Sequence, residues 1–459
     1  MTVLFADTAL LPTGWASNVR VTLDTAGNIA AVASDALAGE AERCAGVLLP
    51  GMPNLHSHAF QRAFAGLTER SSAGGDDFWG WRQIMYRCLA VLEPADVRAI
   101  AAQLYLEMLK AGYTAVGEFH YIHNDRDGAP YGDRLTMSTA IIDAAREAGI
   151  GLTLLPVLYR ANGFGGVVPS PGQRRFITEV DDLLAMIAAL MKHQQGNPEL
   201  RVGIAPHSLR SVPPEDLARA VAGLRALDAT APIHLHISEQ IAEVEQCVAW
   251  SGQRPVAWLL DHAEVDARWC LVHATHMEVA EVKGAAASGA VVGICPSTEG
   301  NLGDGFFAME GYREAGGRWG IGSDSHISVN PVEELRWLDY GERLQRRRRA
   351  LAPGPGSAGM TLWRTALAGG AQALGRPVGA IEAGRRGDFL VVNGDAPSLY
   401  GRRGDALMDS LIFASMPPVV RDVMVGGRWV VRDGRHHAED RISAAFRGAH
   451  DRIAAALTL

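Results

Sequence analysis

The chain lacks any apolar run of about 18 residues, so no segment reads as a membrane-spanning helix. It also lacks a basic excess: 43 Lys and Arg stand against 51 Asp and Glu, a net charge of −8 that offers no footing for nucleic acid or an anionic membrane. The one basic cluster, Arg346-Arg347-Arg348-Arg349, follows a predicted helix from Pro331 to Gln345 and reads as a solvated helix end. Cysteine is scarce and odd in number. Cys44, Cys88, Cys247, Cys270 and Cys295 have no C-x-x-C spacing, which argues against a zinc knuckle or dithiol motif and predicts buried, reduced thiols. A phosphate-cradling loop is missing too, because Gly163-Phe164-Gly165-Gly166 is not followed by Lys and Ser or Thr. Nucleotide and redox cofactors are therefore not expected. Residues Met1 to Asp7 carry neither a basic n-region nor an apolar stretch of export length, and the expected location is the cytoplasm.

What is present is an ordinary globular composition, 48% hydrophobic and 20% charged, over 459 residues, more than a single domain usually spans. Eight short apolar runs recur, at 47–52, 114–118, 152–158, 201–206, 232–237, 269–273, 290–295 and 318–323. Between them, Pro94 to Ala111, Pro213 to Ala229, Gln240 to Ser251 and Glu278 to Ser288 carry apolar residues at helical spacing. This rhythm predicts an α/β fold, a (β/α)8 TIM-like barrel over residues 47–379. Residues 1–46 and 380–459 break it with strand-like runs such as Asp388 to Val392 and Val419 to Val425, and are expected to pair into one small β-sandwich domain. Two weakly patterned stretches, 59–93 and 160–178, are predicted to be long lid or binding loops.

In such barrels the reactive groups stand at the C-terminal ends of the strands. Here those ends carry His56 and His58, Glu118 to Tyr121, His207, His236 with Glu239, His273, and Asp324. The two histidines of His56-Ser57-His58 point the same way, because side chains alternate along an extended segment. Three histidines and one carboxylate around an open position suit a hydrolytic zinc, which lowers the pKa of bound water to about 7; Fe(II) or another divalent ion also fits. Glu239 lies three residues past His236, where the fifth strand gives way to a helix, and is the general acid/base candidate.

This constellation resembles the amidohydrolase superfamily, in its mononuclear deaminase branch. The resemblance includes Leu49-Pro50-Gly51 before the histidine pair, Cys295-Pro296 with Asn301-Leu302-Gly303, and Gly384 to Val391 in the returning β segment. Within that branch, Leu55-His56-Ser57-His58-Ala59-Phe60-Gln61-Arg62-Ala63 resembles the N-formimidoyl-L-glutamate deiminases of histidine breakdown. So do Phe78-Trp79-Gly80-Trp81-Arg82, Glu118-Phe119-His120-Tyr121 and Ala205-Pro206-His207-Ser208-Leu209-Arg210. The resemblance implies metal ligands His56, His58, His236 and Asp324. Binuclear members commonly carry a lysine at the fourth strand; this chain has none in Ile204-Ala205-Pro206-His207, so one Zn2+ per subunit is expected.

The implied substrate bears two carboxylates, which guanidinium forks grip best; Arg82 and Arg210 would supply them. By the resemblance, Gln61, Tyr121 and His207 complete the pocket, while His120 and His123 have no assigned role. The implied catalytic residues are Asp324, taking a proton from the attacking water, His273, stabilising the attacking oxygen, and Glu239, protonating the departing nitrogen. Ammonia and N-formyl-L-glutamate would result. A deaminase of an aromatic base such as guanine, on the same fold, is the alternative, and a metal-free scaffold relative the remote one. The expected partner is a small dicarboxylate, without nucleic acid or membrane, in a homodimer.

Overall fold

A computed structural model of the chain describes residues 2–69, 78–349, 356–416 and 418–457. Eight parallel positions form a barrel: Met52–Ser57, Tyr113–His120, Gly151–Leu158, the split pair Leu200–Val202 and Ala205–Pro206, Ile233–Ile237, Trp269–His273, Val291–Ile294 and Arg318–Ile321. The first four and the last four are each continuously hydrogen-bonded. Single bridges close the two seams, Ile204 with Ile233 and Ser208 with His236 at one, Ser57 with Asp324 at the other. With both faces covered, nearly every strand residue is buried, which is why these segments read as apolar runs rather than alternating ones.

The interior is packed solid around Leu55. A Cβ at Gly293 or Gly320 would come within 2.7 Å of a Leu55 methyl, so two glycines make room for one large side chain. Outside, the helices follow their sequence signals closely. The helix Pro331–Arg346 starts at Asn330, whose side chain accepts from the Val332 N–H, with proline at the first helical position; such a cap is worth about 1 kcal/mol. Arg346 and Arg348 of the basic cluster pair with Glu310, in accord with a helix-end role.

The expected first barrel strand is misplaced. Val47–Pro50 pairs instead with Thr2–Leu11 and Phe389–Val392 in the terminal sheet, and the barrel strand is the next segment, Met52–Ser57. That segment holds Asn54, His56 and Ser57, polar residues beyond the apolar run. All three are fully buried, and Asn54 and Ser57 find partners deep in the barrel: Asn54 donates to Ser323 Oγ at 2.7 Å and Ser57 to Glu118 Oε2 at 2.6 Å. The stretch 59–93 is not one loop either, since it contains the 3₁₀ turn Ala59–Phe64 and the helix Phe78–Leu89; positions 70–77 lie outside the described residues.

The two chain ends share one nine-stranded sheet. The turn at Gly27 touches the turn at Gly426 and Gly427, although their strands are four places apart in the sheet order. Four spacings of about 4.8 Å separate such strands in a flat sheet, so this one must curl over. It encloses a small core of Leu4, Val19, Val21, Leu48, Phe389 and Met424. The C-terminal stretch also holds two helices that strand patterning did not anticipate, Asp405–Phe413 and Glu439–Leu457, the second packed on Pro94–Ala111 of the barrel.

Candidate active site and metal centre

His56, His58, His236 and Asp324 bring one ligand atom each to within 4.8 Å of one another. His236 Nε2 lies 3.0 Å from His56 Nε2 and 3.3 Å from His58 Nε2, while Asp324 Oδ1 is 3.3 and 3.4 Å from the same two atoms. His58 Nδ1 donates to the Phe119 carbonyl at 3.0 Å and His236 Nδ1 to the His207 carbonyl at 3.1 Å. A carbonyl can only accept, so both rings carry their proton on Nδ1 and turn an Nε2 lone pair inward. Burial keeps all three imidazoles below their ordinary range, His56 and His236 well below it. Lone pairs and a carboxylate this close repel one another unless a cation lies between them. The donor set therefore fits a divalent metal; His56 Nδ1, buried without a partner, is the one ligand nitrogen not anchored.

Beside this cluster stand the expected reactive groups. His273 Nε2 is 3.7 Å from both Asp324 Oδ2 and Glu239 Oε1, and its Nδ1 donates to Glu299 Oε1 at 3.2 Å. Burial opposes charge on His273, but Glu239, Glu299 and Asp324 outweigh it and lift the imidazolium to about 10. Glu239 is raised by burial and by its carboxylate neighbours, against the pull of His273. The backbone is strained here: Ser238, His273, Ala274, Asp324 and His326 all adopt positive φ, five of the nine non-glycine residues that do so among those described. His273 ends the sixth strand, Ser238 and Ala274 directly follow the fifth and sixth, and Asp324 and His326 lie in the turn after the eighth.

The pocket continues away from the metal ligands to Gln61, Trp81, Arg82, Met85, Tyr121 and Arg210. Gln61 Nε2 donates to Tyr121 Oη at 3.0 Å. Arg82 donates to Tyr159 Oη at 3.2 Å and to Asn162 Oδ1 at 3.5 Å, and Gln173 Nε2 holds both of these acceptors, at 2.6 and 2.7 Å. Burial, then the Arg210 charge, keeps His207 neutral. Arg210 itself is only 9% exposed and makes no hydrogen bond or ion pair among the described residues. Its charge acts on the carboxylates of Glu243 and Glu239, and it faces the pocket with its donors open to a further anion.

Comparison with known proteins accounts for nearly the whole length. The amidohydrolase family model matches residues 47–430, and the model of the formimidoylglutamate deiminase HutF N-terminal domain matches residues 1–46. A formimidoylglutamate deiminase of Pseudomonas aeruginosa is 53% identical over 97% of this chain and 98% of its own. The chain belongs to the amidohydrolase family, and within it to the formimidoylglutamate deiminases. A crystal structure of an amidohydrolase from Brucella melitensis superposes with a TM-score of 0.94 at 45% identity, covering 99% of this chain and 100% of that one. An adenosine deaminase from Xanthomonas campestris with bound zinc shares the fold alone, with a TM-score of 0.82 at 23% identity and coverage of 99% and 98%.

This amidohydrolase site also holds residues that sequence reasoning passed over. Tyr159, Phe176, Thr298, Leu302 and Ser325 line the pocket. Tyr159 directly follows the third strand, so the strand-end rule alone would have found it. Glu299 had no such signal, because nothing in Pro296–Leu302 announces that its carboxylate reaches back to the sixth strand. His120 and His123 are buried behind the pocket, His123 donating to the Val157 carbonyl at 2.8 Å. The five cysteines are all buried and free.

Proposed function

We infer that the chain hydrolyses the formimidoyl group of N-formimidoyl-L-glutamate, yielding N-formyl-L-glutamate and ammonia in L-histidine degradation. The observation that carries this reading is the unpaired, buried Arg210 in the same pocket as the histidine and aspartate ligands. A dicarboxylate supplies the missing anion, with Arg82 as the second fork and Gln61, Tyr121 and His207 as neutral partners. A flat neutral base would stack on Trp81, Tyr86 or Phe176 but would leave that guanidinium without a carboxylate to grip.

One zinc ion per chain is the cofactor we infer, held by His56, His58, His236 and Asp324; such an ion lowers the pKa of water to about 7. The rest of the chemistry lies in the chain. Asp324 turns Oδ1 to the histidines and leaves Oδ2 to take a proton from the attacking water. His273, doubly protonated, donates from Nε2 to the oxygen as it bonds to the formimidoyl carbon. Glu239 passes a proton to the departing nitrogen, the carbon–nitrogen bond breaks as the oxygen's remaining proton returns to Glu239 and the formyl C=O forms, and ammonia leaves. We place this reaction in the cytoplasm, a reading supported by the five buried free thiols; no helix among the described residues is long and apolar enough to cross a membrane. A homodimer is supported by the exposed Trp337, Tyr340 and Leu344 on the helix Pro331–Arg346.

The test is ammonia release from N-formimidoyl-L-glutamate by zinc-loaded protein, with Glu239→Gln beside it. The expected result is turnover by the parent and a loss on the order of 10³-fold in kcat in the variant. Release from guanine or another base, with none from the formimidoyl amino acid, would overturn the substrate.

A further inference from the structure

The short helix after the seventh strand, Pro296–Leu302, turns three consecutive side chains toward three different neighbours. Ser297 donates from its hydroxyl and its backbone N–H to Glu334, at 2.6 and 2.9 Å, which ties the helix to Pro331–Arg346. Thr298 Oγ1 shares a 2.9 Å hydrogen bond with Ser325 Oγ and accepts the Ser325 N–H at 3.2 Å, one residue past Asp324. Glu299 places a single oxygen, Oε1, where it accepts both the Cys295 backbone N–H at 2.9 Å and His273 Nδ1 at 3.2 Å.

Among the other buried glutamates, three illustrate part of this pattern. Glu118 accepts from Ala59 N and Ser57 Oγ, Glu243 from the N–H groups of Ser238 and Glu239, and Glu334 from Ser297. All grip backbone or a seryl hydroxyl, and Glu118 also the hydroxyl of Tyr105. Among the four, only Glu299 also touches the side chain of a reacting group. The His273 backbone has a positive φ and is followed by another residue with positive φ, so its main chain is bent sharply at the point where the ring must be aimed. An imidazole ring turns about a broad, roughly two-fold torsion, and backbone alone does not choose between its two orientations. An acceptor on Nδ1 does.

We propose that Glu299 is a positioning residue for the hydrolysis: by accepting the Nδ1–H hydrogen bond of His273 it aims Nε2 into the gap between Asp324 and Glu239, where the attacking oxygen passes. The same oxygen also caps the start of its own helix through Cys295, so the aim of His273 is tied to the placement of Thr298 and the Asp324 loop. This rests on the role given to His273 above. The nearest analogy in physical terms is the carboxylate that orients a catalytic or metal-bound histidine, whose removal costs about 10–100-fold.

The experiment compares Glu299→Ala, Glu299→Gln and Ser297→Ala in zinc-loaded enzyme. Ala removes the acceptor, Gln keeps an amide oxygen that can accept both donors, and Ser297→Ala, on the same helix as Glu299, removes the hydroxyl bond to Glu334 without touching His273. The expected result is a fall in kcat of about 10–100-fold in Glu299→Ala, partial recovery in Glu299→Gln, KM within about threefold of the parent and unchanged metal per chain, with kcat preserved in Ser297→Ala. A downfield imidazole N–H resonance from His273 should persist in Glu299→Gln and vanish in Glu299→Ala. Equal losses in Glu299→Ala and Ser297→Ala, or a loss carried by KM or by metal, would overturn the proposal. Should the parent not act on N-formimidoyl-L-glutamate, the substrate reading fails, while the His273 resonance still decides whether Glu299 holds the ring.

Discussion

At the metal end of the pocket the chemical side chains leave barrel strands or the residues just past them, whereas the far end draws Gln61 from a 3₁₀ turn, Arg82 from the helix Phe78–Leu89 and Arg210 from the turn after the fourth strand. The supports differ in the same way. Buried glutamates clamp the backbone under the metal end, through Ala59, Ser238, Glu239 and Cys295. The far end rests on side-chain chains such as Gln173 to Tyr159 and Asn162 and on to Arg82. Backbone clamps fix direction to a fraction of an ångström, which bond-making requires; side-chain relays tolerate small shifts, which suffices for gripping carboxylates.

The sharpest way to break this comparison is to strip the metal end. Chelation, or His236→Ala, should abolish ammonia release to background and lower the melting temperature, since a ligand at 100 times its Kd contributes about 2.7 kcal/mol to the folded state. Metal analysis with thermal melts checks both, and an unchanged melting point in the chelated protein would show that the four ligands hold no ion. At the far end, Arg210→Met should act mainly on binding. Losing a buried charged partner costs about 2–5 kcal/mol, which predicts a KM raised by roughly 10² or more with kcat much less affected. A pure kcat loss would place Arg210 with the reacting groups instead.

Smaller is the effect of Gln173→Ala, one step behind Arg82. Its loss should raise KM severalfold, about 1 kcal/mol for a hydrogen bond acting through a neighbour, and leave bound metal unchanged. The smallest effect concerns stability rather than turnover. Burial holds His123 and His234 down to about 4, each bonded to a backbone carbonyl. Their folded values lie below the ordinary 6.5, so the unfolded chain binds protons first as pH falls from about 6.5 to about 4, and stability present above that window is lost within it. Glu118, which burial raises to about 7, works in the opposite sense over part of the range. The measurement is therefore differential: His234→Gln should show a shallower acid loss of melting temperature than the parent, and identical slopes would remove His234 from the account.

Much of this site was legible because its residues obey strand-local rules. His56 and His58 share a side by the period of two, and His236, His273 and Asp324 close or follow recognisable runs. The first barrel strand was not legible, since Asn54 and Ser57 look like loop residues until Ser323 and Glu118 are placed against them. Glu299 and the Gln173 relay were hidden for the same reason: their partners lie on other strands and loops, and no spacing along the chain encodes those contacts.

The sequence by itself determined the alternation of strands and helices, the residue types at the strand ends and the pairing of the two termini, because periodicity and turn chemistry are properties of single segments. Only the tertiary structure decided how the barrel closes. Its hydrogen-bonded sheet breaks twice, at Ser57 with Asp324 and at Ser208 with His236, and the four expected ligands stand at those two seams. Closure brings residues 180 positions apart to within 3.0 Å, and the mutual repulsion of their lone pairs is what gives the centre its affinity for a cation.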